Sequence, residues 1–217
     1  MKKVILLFAI VLAATAAQAQ FSVGTDIVSN YIFRGAVQDG GKGAIQPGIE
    51  YSSGSFAIGA WGSYGTSTGM LQEADLYLSY GLDNGLSFGL TDYYYPGTSF
   101  FETDEDISVH SFELNAGYET GAFSIAANYI MNNSTNTQDG TYYLEAGYAF
   151  TDNVSLAIGG GNGWVTATGG DEFQVSNIAL TVSKEVEITD KFALPIFGQA
   201  ILNPNTEMFH LVVGFSL

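Results

Sequence analysis

Nearly all the side chains able to do chemistry in this chain are carboxylates, and they recur singly in segments that alternate large apolar with small polar residues. Asp26, Glu50, Glu73, Asp75, Glu113 and Glu145 fall on the small-residue side of such segments, with Arg34 as the one base among them. Six acids and one base on a shared wall attract cations, and around a pore they favour cation passage. Arg34 is equally suited to tie that wall together, because its planar fork binds carboxylates bidentately. A closed network of carboxylates, Arg34, tyrosines and asparagines is therefore the alternative to an open lumen.

Other chemistry is scarce. The two histidines are His110, on an apolar face, and His210, on a polar one. A hydrolase needs His, Ser and an orienting group in mutual reach. His110 and Ser111 are neighbours on a strand and point to opposite faces. His210 and Ser216 share a face but stand about 20 Å apart along it. There is no G-x-S-x-G elbow, and Gly159-Gly160-Gly161-Asn162-Gly163 lacks the lysine and helix of a phosphate loop. No enzyme and no cofactor are expected; a barrel lipid hydrolase using His110 or His210 is the weaker alternative. Glu102, Asp104 and Asp106 offer clustered oxygens of the kind that hold Ca²⁺, without EF-hand spacing or its glycine. The expectation there is a solvated acidic loop and no metal.

These side chains need a scaffold, and its compartment is written at the start. Lys2 and Lys3 precede the apolar run 4–11, and Ala17-Gln18-Ala19 follows as an A-x-A cleavage signal. This is the pattern of a secretory signal peptide over 1–19, with the mature chain at 20–217. Two of the 6 Lys and Arg lie in that leader, so four bases face 22 acids in the remainder. That balance excludes nucleic acid as a partner, since nucleic-acid binding needs a basic footprint. Cys is absent, so no disulfide framework exists.

Beyond residue 20 no helical period is sustained. Period-two alternation between turn clusters predicts twelve strands, at about 21–34, 43–52, 55–65, 71–81, 85–95, 107–118, 122–132, 140–150, 153–161, 173–185, 191–202 and 206–217. Pro47 and Pro195 fall inside them, each removing a ladder donor, which predicts a bulge or a place near the rim. The fold class is all-β: a closed, antiparallel, up-and-down transmembrane barrel of about twelve strands. Three features separate this from a soluble sandwich. The polar face carries Gly, Ala, Ser, Asn and isolated acids, where a solvated sheet would mix both charges. Tyr31, Phe33, Tyr93, Tyr94, Tyr95, Tyr118, Tyr148 and Phe150 lie near strand ends and are assigned to aromatic girdles. Connections alternate short and long, the pattern of periplasmic turns and extracellular loops. The expected place is the bacterial outer membrane; the expected partners are its lipid, small solutes and, during biogenesis, the assembly machinery.

Several segments resemble the TorF family of outer-membrane porins. They are Ser29-Asn30-Tyr31-Ile32-Phe33-Arg34-Gly35 with Gln38, Gln46-Pro47-Gly48-Ile49-Glu50-Tyr51, Gly59-Ala60-Trp61-Gly62-Ser63, Glu73-Ala74-Asp75-Leu76-Tyr77 with Gly81, and Tyr93-Tyr94-Tyr95-Pro96-Gly97. The rhythm returns in Glu113-Leu114-Asn115-Ala116-Gly117-Tyr118 and Tyr143-Leu144-Glu145-Ala146-Gly147-Tyr148. The resemblance implies a barrel and a pore, and supplies no substrate. The chain departs from many such barrels by ending in Phe215-Ser216-Leu217 without a terminal aromatic residue. The function expected is passage of small cationic or neutral solutes through an acid-lined lumen. The alternative is a plugged structural or adhesive barrel whose loops bind a partner.

Overall fold

The computed structural model describes residues 20–38, 40, 42–97, 99–102 and 108–217. The expected leader over 1–19, and Asp104 and Asp106 of the acidic loop, lie outside these residues. Twelve strands close into one antiparallel barrel, and a two-stranded hairpin stands apart from it. In chain order β1 is Gln20–Val28, β2 Ile32–Phe33, β3 Ala36–Val37, β4 Ala44–Ser53, β5 Phe56–Gly65, β6 Leu71–Gly81 and β7 Leu86–Tyr94. There follow β8 His110–Thr120, β9 Phe123–Ile130, β10 Tyr142–Thr151, β11 Val154–Gly161, β12 Gln174–Thr189, β13 Phe192–Asn203 and β14 Met208–Ser216. Each wall strand pairs with its sequence neighbours, and β1 closes the ring against β14 through Asp26↔Ser216, Ile27↔Phe215 and Val28↔Gly214.

Alternation sorts the side chains as the pleat requires. Outward positions hold exposed apolar residues, among them Val23, Ile49, Leu76, Leu114, Ile158 and Leu211. Exposed rings collect near the turn end (Phe56, Tyr80, Tyr118, Tyr148, Phe150) and near the loop end (Tyr64, Tyr129, Phe209). Inward positions are small or polar. Glycine is required where a neighbour's side chain crosses the wall. A Cβ on Gly59 would lie 2.3 Å from the Tyr77 hydroxyl, and one on Gly159 2.1 Å from that of Tyr143.

The prolines sit where the ladder does not need them. Pairing of β4 with β5 skips from Ile45↔Tyr64 to Gly48↔Trp61, so Pro47 falls in the gap. On the side of β13 facing β14, pairing begins at Ile196↔Phe215, leaving Pro195 at an edge.

The first strand departs from expectation. It ends at Val28 rather than running to residue 34. The chain bends at Ser29-Asn30 and re-enters the barrel as the β2–β3 hairpin. Its two-residue turn is Arg34-Gly35, with φ of +50° and +83°, the double positive φ of a type I′ turn. The hydrophobic core therefore lies inside the loop-side half of the barrel. Tyr31 and Phe33 pack there with Val28, Tyr93, Ile130, Ile201 and Val212, and Trp61, Tyr95 and Trp164 close around them.

Candidate functional site: a hairpin docked on an acid-lined wall

The hairpin is held by the wall at several points, and its arginine is the central one. Arg34 donates from both terminal nitrogens to Glu113, Nη1 to Oε2 at 2.7 Å and Nη2 to Oε1 at 2.8 Å. The two side chains are 9% and 1% exposed, so the pair is dry. Glu113 also accepts from the Tyr93 hydroxyl at 2.9 Å and from Asn115 Nδ2 at 2.7 Å. Asn115 in turn donates to Asn128 and accepts from Thr91. Rings enclose the guanidinium: its carbon lies 4.7 Å from the centre of Phe33, 4.6 Å from Tyr143 and 5.7 Å from Trp164. Phe33 and Trp164 stack at 5.6 Å. Burial alone would pull the guanidinium's pKa down; the Glu113 charge outweighs it and raises that pKa, so Arg34 stays charged.

The turn is fitted to its berth. Asn203 Nδ2 donates to the Gly35 carbonyl at 3.0 Å. A bulge between Gly159 and Gly160 leaves Ser176 out of the β11–β12 register, and its carbonyl oxygen lies against Gly35. A Cβ at Gly35 would stand 1.8 Å from that oxygen. Arg34 has no such excuse for its positive φ, which an L-residue other than glycine adopts at a cost. The ion pair and the enclosing rings hold it there.

A second group lies beside the hairpin. The Tyr31 hydroxyl donates to Glu73 Oε2 at 2.8 Å, and its ring lies 5.6 Å from Trp61. Burial, and then the Glu73 charge, push the Tyr31 phenol well above its ordinary pKa, so it stays a donor. Asp75 follows on the same face of β6, buried like Glu73. Nearer the turns, Tyr77 donates to Glu50 at 3.0 Å, and Tyr143 and Asn177 donate to Glu145 at 2.6 and 3.0 Å. Ser216 donates to Asp26 at 2.6 Å across the closing seam.

All seven residues assigned to the lumen from sequence stand inside the barrel, Arg34 on the hairpin and the six acids on the wall. The girdle assignments divide. Tyr118, Tyr148 and Phe150 are on the outer face, 37%, 50% and 56% exposed. Tyr94 is also outward, against Phe100 and His110. Tyr31, Phe33 and Tyr93 are corrections: at 3%, 2% and 5% exposure they belong to the core. Tyr95 packs against that core too. For Tyr31 and Phe33 the cause is the bend at 29–30, which takes them out of phase with Phe21 and Val23. For Tyr93 and Tyr95 it is the pleat of β7, which turns Phe88 and Leu90 outward and odd positions inward. Sequence reading also missed Trp164, Tyr143 and Asn203 as hairpin contacts, and Asn115 as a donor to Glu113. The available signal was Arg34-Gly35 between apolar pairs, a two-residue hairpin pattern with glycine at the second turn position.

His110 lies on the outer face near the rim. Its Nδ1 is 2.9 Å from Asp92 Oδ1, and its Nε2 is 2.6 Å from the Phe100 carbonyl. Ser111 points inward and bonds with Ser134 and Thr137. His210 is buried on the inner face. Among the described residues no three His, Cys, Asp or Glu side chains converge as a metal cluster.

A family model described as a bacterial protein of unknown function, Gcw_chp, matches residues 12–186. The chain belongs to the Gcw_chp family. The matched stretch holds the whole hairpin and every acid of the inner wall named above, and ends within β12. A search of the curated proteins found no match.

Proposed function

We propose that this Gcw_chp protein is an outer-membrane barrel that passes small cationic or neutral solutes through an acid-lined lumen, with the Arg34 hairpin as its constriction. One observation carries the reading. Six carboxylates stand on the inner wall, and Arg34, the one arginine or lysine inside among the described residues, is neutralised by Glu113. The remaining inner charge is negative, which concentrates cations and repels anions.

Membrane insertion is supported by the outer face. A closed ladder satisfies backbone groups that lipid cannot. The exposed apolar band, edged by tyrosine and phenylalanine, has the composition of a lipid-facing belt. The leader pattern over 1–19 supplies the export route, with the outer-membrane assembly machinery and lipid as partners. The resemblance to the TorF porins points the same way. Barrels of eight strands are filled by side chains and those of sixteen leave a channel, so twelve strands with small wall residues accommodate a narrow path beside a hairpin.

A second reading is a closed barrel whose outer loops bind a partner. The dense packing of Phe33, Tyr143 and Trp164 around Arg34 favours it. Swelling of liposomes carrying the folded protein separates the two. Entry of small amines and neutral polyols, with exclusion of organic anions of equal size, is the expected result. No entry of any solute into liposomes that hold a heat-modifiable, correctly folded barrel would overturn the channel in favour of the closed barrel.

A further inference from the structure

Glu73 and Asp75 are two residues apart on β6, so their side chains share the inner face. They are 2% and 4% exposed. Tyr31 occupies Glu73 Oε2 and the Tyr95 phenol lies against the same carboxyl, but Glu73 Oε1 and Asp75 Oδ1 have no hydrogen-bond partner, nor does Ser79 Oγ farther along the same face. Arg34 makes no hydrogen bond to them, since both its terminal nitrogens are on Glu113. A buried carboxylate without a partner is strongly disfavoured, and two side by side repel each other. Neutral oxygens flank the pair. Ser63 stands opposite Glu73 in the β5–β6 register and accepts from Gln46 Nε2 at 3.5 Å, so the Gln46 amide is beside it as well. Both residues are buried.

We propose that Glu73 and Asp75 form a cation site in the lumen beside the hairpin, taking a hard cation of the Ca²⁺ class through their two free oxygens, with Ser63, Gln46 and water completing the shell. The donors are all oxygen, which selects hard cations over Zn²⁺ or Cu²⁺. Two carboxylates are few for Ca²⁺, which places the site with the weak binders, at a Kd of about 10⁻⁴–10⁻³ M. That affinity allows an ion both to enter and to leave, as a conduction site requires. As a stop on the solute path the site rests on the channel reading; as a binding site it does not.

Terbium luminescence tests it, with Trp61, the register partner of Asp75, as the antenna. The refolded protein in detergent, excited at tryptophan, should give Tb³⁺ emission that millimolar Ca²⁺ displaces. Asp75→Asn and Glu73→Gln should each weaken Tb³⁺ binding at least tenfold, and Asp152→Asn, at an exposed turn, should leave it unchanged. Trp61→Phe, which keeps both carboxylates, should remove most of the emission even if the charge variants fail to fold. No sensitised emission, emission undiminished in Trp61→Phe, or undiminished binding in folded Asp75→Asn overturns the proposal. Terbium binding at Asp75 in a barrel that passes no solute would keep the site and sink the channel; the reverse would sink the site alone.

Discussion

Replacing Arg34 by Met tests what holds the hairpin in the lumen. The substitution keeps much of the side chain's length and removes its charge. Glu113 then keeps its bonds from Tyr93 and Asn115 but loses two charged donors at 2.7 and 2.8 Å, in a place where its side chain is 1% exposed. Removing one member of a buried ion pair costs about 3–5 kcal/mol, mostly from the stranded charge. At 1.36 kcal/mol per factor of ten this shifts the docked-to-free ratio of the hairpin by roughly two to nearly four powers of ten. Lost contact with the Phe33, Tyr143 and Trp164 rings adds to it. The stranded charge can be removed separately. Arg34→Met combined with Glu113→Gln should be less destabilised than the sum of the single variants by at least ~1 kcal/mol, because neither charge is then alone. Urea unfolding in lipid vesicles, followed by tryptophan emission, supplies the cycle, since Trp164 stacks on Phe33 and senses undocking. Single variants within ~0.5 kcal/mol of wild type, or strictly additive ones, would refute the argument.

Other substitutions have defined outcomes. Gly35→Ala places a methyl 1.8 Å from the Ser176 carbonyl at a φ of +83°; it should cost about 3 kcal/mol of hairpin docking, read from protease cutting between residues 29 and 42. Tyr31→Phe strips Glu73 Oε2 of its donor and should lower the unfolding midpoint by an amount equal to about 1–3 kcal/mol. Glu50→Gln with Glu145→Gln removes two inner-wall charges that no base neutralises, and should move the reversal potential in a salt gradient towards zero; an unchanged potential would remove these residues from the ion path. Gly159→Ala drives Tyr143 off Glu145 and away from Arg34, with an overpacking cost of about 1–3 kcal/mol measurable by thermal unfolding.

The wall was legible because a barrel writes itself locally. Phe112, Leu114 and Ala116 against Ser111, Glu113 and Asn115 specify both strand and facing, and glycine-bearing turns mark the ends. The same register turns Glu113 and Glu145 to the inner face. The hairpin was hidden by the same rule. Tyr31 and Phe33 continue the odd-numbered apolar row of Phe21 and Val23, and period two cannot tell a continuing strand from one that bends and folds inward. Tyr93-Tyr94-Tyr95 misled differently: three like residues carry no alternation, so only the pairing of β7 with its neighbours sets which ring faces out. The contacts of Trp164 and Asn203 with the hairpin join positions more than a hundred residues apart, and nothing local encodes them.

Single-channel recording of the refolded protein in a planar bilayer under a potassium chloride gradient tests the central claim most directly. Small, stable steps with a reversal potential favouring K⁺, and larger steps in Arg34→Met, are the predicted result. Silence from a folded barrel in both forms, or steps that favour Cl⁻, would contradict it.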